Sequence, residues 1–492
     1  MKKLICITLA LLMLLGMLVS CGGDQPEGEQ TEAQESQTTS EVEDTESSTE
    51  TEDTKIPLVA LPAATNYNYD FRILSRKGDQ RLDFFAEEMT HDIVEQSVYA
   101  RNQKLKSTYG VSLVELSFAS DGSVGEIASI LASGEDTYDL IAPHGRYAST
   151  YALQGYCTDW YKLPYCNLTY EWWSQGAREC FTVNDRLYFL TGDICHLSAA
   201  GTYCMMFNKD ALDEEGIEYP YQLVKDGEWT FETMAQYALQ CARDTGDGIY
   251  KLYEDRMGYV TYRWGGTYCA FFSSGNRIAK TDANGAPYVS IAENTTAYDA
   301  LVKFYELCNN EKCYLEPTDN YPSGSRFINN GLFVFYDTTV QGVTGFRETD
   351  LNYGIVPYPK TAEDVEGYVS HSAGAYNQLI VPYTCTNLER TSAVLELLAQ
   401  EGRRIVRPAY YENVVQKRTS KDVDDLEMLD YIVDARIYDM GYFFGTLGAI
   451  SSLLMEMSSV ANPTAETFYS RYSECLPSAN ENLQKVLEAY SK

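Results

Sequence analysis

The sequence predicts an α/β protein of two lobes, each a mostly parallel sheet flanked by helices. Three observations carry that expectation. At 492 residues the chain is longer than one hydrophobic core usually spans. Its composition is globular, with 45% hydrophobic and 22% charged residues. From Tyr69 onward short apolar runs alternate with helix-period segments, which is the spacing of βαβ units.

In order, the N-terminus reads as an export signal. Lys2 and Lys3 precede an uncharged apolar run, Leu4 to Val19, which ends at Leu18-Val19-Ser20-Cys21 followed by Gly22. Small residues ahead of a Cys form a lipobox, in which Cys21 takes the lipid. Residues 1-21 are therefore a lipoprotein signal peptide and residues 22-65 an acidic tether. Between Gly22 and Lys55 twelve acidic residues face a single lysine, with almost no large apolar side chain. Such a segment cannot bury enough surface to fold, and self-repulsion extends it.

The body then opens with a strand at Tyr69–Leu74 and a helix over Asp92–Tyr109, stopped by Gly110. Val111–Leu116 is a second strand. Val124–Ala132 is a helix led by Ser120-Asp121, and Tyr138–Ala142 is an apolar third strand. Ligands of open α/β sheets sit outside the carboxyl ends of strands, so His144, Arg146 and Tyr147 fall at a cleft by topology. Arg146 reads equally as a surface ion-pair partner. Trp160, Trp172 and Trp173 read as a cap on the first core. Arg186–Leu190 is expected as a strand.

Residues Gly192 to Thr230 form the stretch around which the rest is arranged. An extended crossover over Asp193–Thr202 leads to a buried strand (Tyr203–Phe207), the turn Asn208-Lys209-Asp210, a short helix and a new helix capped by Thr230. The order strand, Phe-Asn-Lys-Asp, Gly-Ile, Pro-Tyr-x-Leu-Val, Gly-x-Trp-Thr resembles the extracellular solute-binding proteins of ABC importers, family 1, the sugar-binding and maltose-binding-like branch. Tyr138–Ile141 (YDLI) with its loop, the Asn276–Val289 hairpin and Asn352–Pro357 (NYGIVP) are similar to the same family. The likeness runs from Tyr69 to the C-terminus and departs from the maltose binders at their stacking tryptophans near the first and last cleft loops.

That resemblance implies a periplasmic-binding-protein-like fold with a multi-strand hinge. Lobe 1 would span 66-194 and 373-408, and lobe 2 would span 203-368 and 412-492. The hinges fall near 194-202, 368-375 and 408-412. The first crossover would turn Asp193, His196 and Ser198 to the cleft. In the second lobe the strand Met257–Tyr262 ends at Arg263-Trp264-Gly265-Gly266, where glycines admit close approach and Trp264 offers a flat face to a sugar or packs the hinge. Tyr262, Arg263 and Trp264 are candidate contacts. So are Tyr336 and Asp337 at the end of Gly331–Tyr336, and Tyr442 beside Phe443 and Phe444. The closing helices are expected over Ser420–Asp439 and Thr464–Tyr490 on the second lobe.

The implied function is capture of a small solute, a mono- or oligosaccharide, by lobe closure and delivery to an ABC permease. The protein would be a monomer, exported and held by its N-terminal lipid on the outer face of the cell membrane, with no cofactor and no metal. A net charge of −33 disfavours nucleic acid as a partner. Of 13 cysteines, Cys6 and Cys21 belong to the N-terminus, and the remaining eleven cannot all pair. Cys308 with Cys313 and Cys157 with Cys166 are close enough in sequence to bridge. The alternatives are a secreted carbohydrate-active enzyme or a cell-surface interaction protein. GxSxG, HExxH and Walker patterns are absent, and the four histidines, His91, His144, His196 and His371, show no catalytic spacing.

Overall fold

The computed structural model describes residues 66–88, 90–116, 124–316, 330–346, 349–416, 423–457 and 464–491. The signal, Cys21, the tether and Ser120-Asp121 lie outside them.

The first sheet contains β1 (Tyr69–Ser75), β2 (Val111–Glu115) and β3 (Leu140–Ala142), in the order β2-β1-β3 and all parallel. Parallel neighbours need crossover helices. The helix Ile93–Tyr109 supplies one. Asp92 starts it by accepting from the Val94 and Glu95 amides, and Gly110 ends it at φ +65°. The chain returns to this lobe late, where Ile380 bridges Ile141 and Leu379 bridges Leu190. The segment 186–190, expected as a strand, joins only through such isolated bridges, because it leaves a tight turn with Asn184 and Asp185 at positive φ.

Trp160, Trp172 and Trp173 are all buried in this lobe. Glu396, itself buried on the helix Leu388–Glu401, accepts from Trp172 Nε1 at 3.2 Å and Trp173 Nε1 at 2.8 Å. The tryptophans thus serve packing, with their polar edges satisfied by one carboxylate.

The second lobe holds β4 (Tyr203–Asn208), β5 (Met257–Tyr262), the hairpin β6 (Ala279–Thr281) and β7 (Pro287–Val289), β8 (Cys313–Glu316), β9 (Phe333–Thr339) and β10 (Tyr353–Val356). Five of them form a mixed sheet, β10-β4-β9-β5-β8, in which β5 runs parallel to β8 and β9, while β4 is antiparallel to β9 and β10. The Phe-Asn-Lys-Asp turn has a local cause. Asn208 caps the next helix by accepting from Ala211 N, while its amide donates to Gly331 O at 3.0 Å. Lys209 is buried against the Tyr219 and Tyr221 rings.

Several local expectations are corrected. The crossover after Asp193 is not extended, for it folds into the helical turn His196–Ala200. Arg263 to Gly266 is no loop but the first turn of the helix Arg263–Phe272, with both glycines buried under the Tyr203 and Tyr262 rings, Thr261 and Phe304. The third crossing is a helix, Arg407–Gln416, reached through a π-helical turn at Gly402–Val406. Cys308, Cys313, Cys157 and Cys166 are free thiols, and burial pushes those of Cys308 and Cys166 well up. The first closing helix, expected over Ser420–Asp439, runs over Val423–Asp434 and stops there, its expected start at Ser420 lying outside the described residues, and β12 (Arg436–Ile437) then pairs with β11 (Ser370–His371). The last helix, Ala465–Ala489, packs on the helix Gly145–Leu153 of the first lobe as well as on β7 and the helix Gly448–Met457. The segment 412-492, read as second-lobe, therefore touches both.

Asp337 is fully buried on β9, beside Tyr259 and Thr261, and among the described residues no basic side chain pairs with it. Burial pushes its carboxyl up from 3.8 to about 7. The folded state therefore binds this proton more tightly than the unfolded chain. The stabilisation is complete below pH ~4 and lost as pH rises through ~7. Asp337→Asn is expected to raise the unfolding free energy at pH 8 by about 2–4 kcal/mol, seen as a higher melting temperature, with little effect at pH 4. Equal melting curves for the two proteins at pH 8 would contradict this.

Candidate functional site

The carboxyl ends of β1, β3, β5 and β9 meet along a seam between the lobes. At one end lies a cation–aromatic cluster. His144 caps the helix Gly145–Leu153, its Nδ1 accepting from Arg146 N, and its ring stacks on Tyr147 at 4.7 Å. That places Arg146 over two rings, Trp264 at 4.8 Å and Tyr442 at 4.9 Å. Arg146 Nε also donates to the Tyr442 carbonyl at 3.2 Å. Trp264 Nε1 donates to Tyr442 Oη at 3.2 Å, and Gly374 N donates to the same oxygen. Asp439 holds Tyr442 in place by accepting from its amide. Arg146, Trp264 and Tyr442, read separately from sequence, are thus one contact that spans the lobes. A partly desolvated cation–π pair contributes about 1–2 kcal/mol.

Behind this cluster the crossings pack tightly. Thr202 bridges Ser372, and His371 stacks on Tyr203, Tyr268 and Phe272 with Tyr442 edge-on at 4.6 Å. Tyr262 contributes through its hydroxyl, which pairs with that of Tyr203. Arg263 begins its helix here and is half-buried. Tyr376 lies on Gly201 and donates to Gln341 Oε1 across the seam at 2.6 Å.

At the other end is a cavity of about 220 Å³. Its wall is drawn from every part of the seam. Asp79, Asp92 and Glu95 come from the first lobe, His196 from the first crossing, Gln341 and Thr344 from the turn after β9, and Tyr410 and Asn413 from the third crossing. His196 Nδ1 lies 3.3 Å from Asp83 Oδ1, and burial drives its pKa down to about 3, so the imidazole is neutral. Asp83 also accepts from Leu197 N and from Asn377 Nδ2, at 2.9 Å each. Buried polar atoms without a hydrogen bond occur on these crossings too: Thr202 Oγ1, His371 Nε2, Asn377 Oδ1 and Gln378 Oε1.

Three residues read as cleft contacts stand elsewhere. Asp193 faces Arg403 and Arg407, at 3.4 and 3.7 Å, which makes it an ion-pair anchor for the third crossing. Tyr336 is buried against Phe333 and Phe346. Asp337 is buried in the second lobe's core. Asp79, Glu95, Gln341, Thr344, Tyr410 and Asn413 were missed. For Gln341 the signal was present, since it lies just past a strand's carboxyl end.

No family model matches the chain, and no curated protein sequence matches it. Solved structures do match. UgpB from Mycobacterium tuberculosis in complex with glycerophosphocholine aligns with a TM-score of 0.57 and 13% identity, over 84% of this chain and 100% of that one. An ABC substrate-binding protein from Listeria monocytogenes in complex with cycloalternan gives 0.54 and 12%, over 85% and 100%. The GacH receptor of Streptomyces glaucescens, solved unliganded and with acarbose, gives 0.51 and 11%, over 86% and 100%. The chain has the two-lobed fold of the ABC-importer solute-binding proteins.

A Cβ on Gly201 would overlap the Tyr376 ring. Gly201→Ala must displace that ring and break its bond to Gln341, a strain of about 1–3 kcal/mol. The expected outcome is a lower melting temperature and a larger radius of gyration in X-ray scattering. An unchanged radius with an unchanged melting point would show that this contact does not hold the seam.

Proposed function

We propose that this protein is a solute-binding protein of an ABC importer, which captures a small solute, a carbohydrate, between its lobes and delivers it to a membrane permease. The observation that carries the proposal is the cavity walled by both lobes and by two of the crossings. A ligand there touches both lobes at once, so it has differential affinity for the closed form and shifts the equilibrium toward it. The aromatic and amide side chains along the seam suit sugar rings and hydroxyls. The fold supports the reading, and neighbours with acarbose or cycloalternan bound give the carbohydrate class its precedent. The lobes take the boundaries expected from sequence, 66-194 with 373-408 and 203-368 with 412-492, the last segment clasping both.

In this reading the chain is not an enzyme and needs no cofactor. It works as a monomer, anchored through lipid on Cys21 to the outer face of the cell membrane, with the acidic tether as spacer. Among the described residues no helix is long and apolar enough to cross a membrane. Cys21→Ser should move the protein from the membrane pellet to the soluble fraction, and pelleting by the variant would refute the lipobox assignment.

The solute reading is tested by a thermal-shift screen of residues 65–492 against sugars, polyols, amino acids and short peptides, because a ligand of the native state raises its melting point by mass action. A sugar is expected to raise it without being converted. Gln341→Ala, which removes an amide from the cavity wall, should weaken that sugar about 3- to 10-fold in titration calorimetry, through loss of one hydrogen bond. Release of shorter products on long incubation would turn the reading toward an enzyme.

A further inference from the structure

Two contacts cross the seam near its ends, and every atom in them belongs to the chain. At one end Trp264, in the first turn of the helix Arg263–Phe272, meets Arg146 and Tyr442. At the other, Tyr376 donates to Gln341 Oε1.

The first contact has a fixed side. The segment that carries Tyr442 is tied to the first-lobe helix Gly145–Leu153 by three hydrogen bonds. Arg146 Nε donates to the Tyr442 carbonyl at 3.2 Å, Ser149 Oγ to the Phe443 carbonyl at 3.3 Å, and Gly445 N to Ser149 Oγ at 3.3 Å. Gly374, on the second crossing, leaves room for the Arg146 stem, which a Cβ there would overlap. Arg146 and Tyr442 therefore present one surface. Trp264 comes to it from the second lobe, with its face under the guanidinium and its Nε1 donating to Tyr442 Oη. Tyr268, from the same helix as Trp264, meets the edge of Tyr442 at 4.9 Å.

The contact is also built to come apart. Trp160, Trp172, Trp173 and Trp229 are at most 1% exposed, whereas Trp264 and Arg146 are half-buried. Arg146 is held by two ring faces and one carbonyl, and among the described residues no ion pair includes it. Splitting a buried ion pair would strand two charges in the interior. Withdrawing Trp264 strands none, because the guanidinium it uncovers lies where water can solvate it. Loss of a cation–π contact of this kind moves a two-state equilibrium about 5- to 30-fold. That is enough to keep an open form in the minority and too little to forbid it.

We propose that Trp264 against Arg146 and Tyr442 is a latch, which holds the lobes closed by the chain's own contacts and makes the open form that admits solute the less populated one. The inference goes beyond the solute-binding reading and takes from it only the relative motion of two lobes.

The test needs no solute. Four of the five tryptophans are buried, so quenching of fluorescence by acrylamide reads Trp264, while the radius of gyration from X-ray scattering reads the lobes. Both are measured on the full chain, whose N-terminal segment is common to every variant. Arg146→Gln should raise the open-to-closed ratio about 5- to 30-fold, with stronger quenching and a larger radius. Arg146→Lys keeps the charge without the flat guanidinium and should fall between. Arg146→Gln with Tyr376→Phe releases both seam contacts and should open the protein furthest. Melting curves confirm that each variant folds, and where the glutamine variants do not, Arg146→Lys decides by the same two readouts. An unchanged radius in the double variant overturns the latch. Stronger quenching at an unchanged radius overturns it too, since Arg146 would then only cover the ring. Either result leaves the solute-binding reading standing. A silent solute screen beside variants that open would remove that reading and keep the latch.

Discussion

Asp83 accepts one hydrogen bond from each of the first two crossings, from the Leu197 amide and from the Asn377 side chain. Both crossings therefore leave the first lobe at one fixed point. A carboxylate buried there is costly by itself, and burial pushes its pKa up to about 7. Arg101, also fully buried, offsets that cost and pins the carbonyls of Asp83, Phe84 and Ile194 around it. Much of the seam follows from this knot. It turns the first crossing into a helical turn, carries His196 to the cavity wall, and delivers Gly201 beneath Tyr376.

Closeness along the seam is a matter of missing side chains. A Cβ on Gly201 would meet the Tyr376 ring, one on Gly145 the Tyr376 and Gly374 carbonyls, and one on Gly374 the Arg146 stem. Glycines at these points let two backbones and one guanidinium share a narrow layer. The result is a contact path from Trp264 and Arg146, through Gly374 and Tyr376, to Gln341 at the cavity. Gly374 N donates to Tyr442 Oη, the backbone carries on from Gly374 to Tyr376, and Tyr376 donates to Gln341. A ligand that moves Gln341 thus acts on groups in register with the Arg146 cluster.

The sequence showed its layout wherever the cause was local. Asp92 and Gly110 mark the ends of a helix by capping chemistry that any reader of the chain can apply. Asn208 and Lys209 look like a turn, but Asn208 ends β4 and caps a helix that begins at Lys209, and burial of Lys209 against two tyrosines needs the tertiary structure to be seen. The Arg263-Trp264-Gly265-Gly266 run misled because paired glycines read as a loop. Here they are small so that Tyr203, Tyr262 and Phe304 can cover a helix. The rule that ligands lie at strand ends led to Arg146 and Trp264, and the structure brings them together. It could not separate Asp337, whose side chain turns into the core, from Gln341, four residues on, which turns to the cavity. Asp193 was lost to its arginines, which lie more than 200 residues away in sequence.

Ligand identity is set above the level of the fold. Structures that share this fold carry glycerophosphocholine, cycloalternan or acarbose, molecules of quite different charge and size. In this chain the seam is acidic at the end of Asp79, Asp92 and Glu95 and cation–aromatic at the other. The long-range field has the sign of the acidic end. A chain with net charge −33 raises the local concentration of cationic solutes and repels anionic ones before any contact forms. At physiological ionic strength that field decays over about 8 Å, so it acts on encounter and leaves the final discrimination to the cavity. Arg146 is held between two aromatic faces, away from the acidic end.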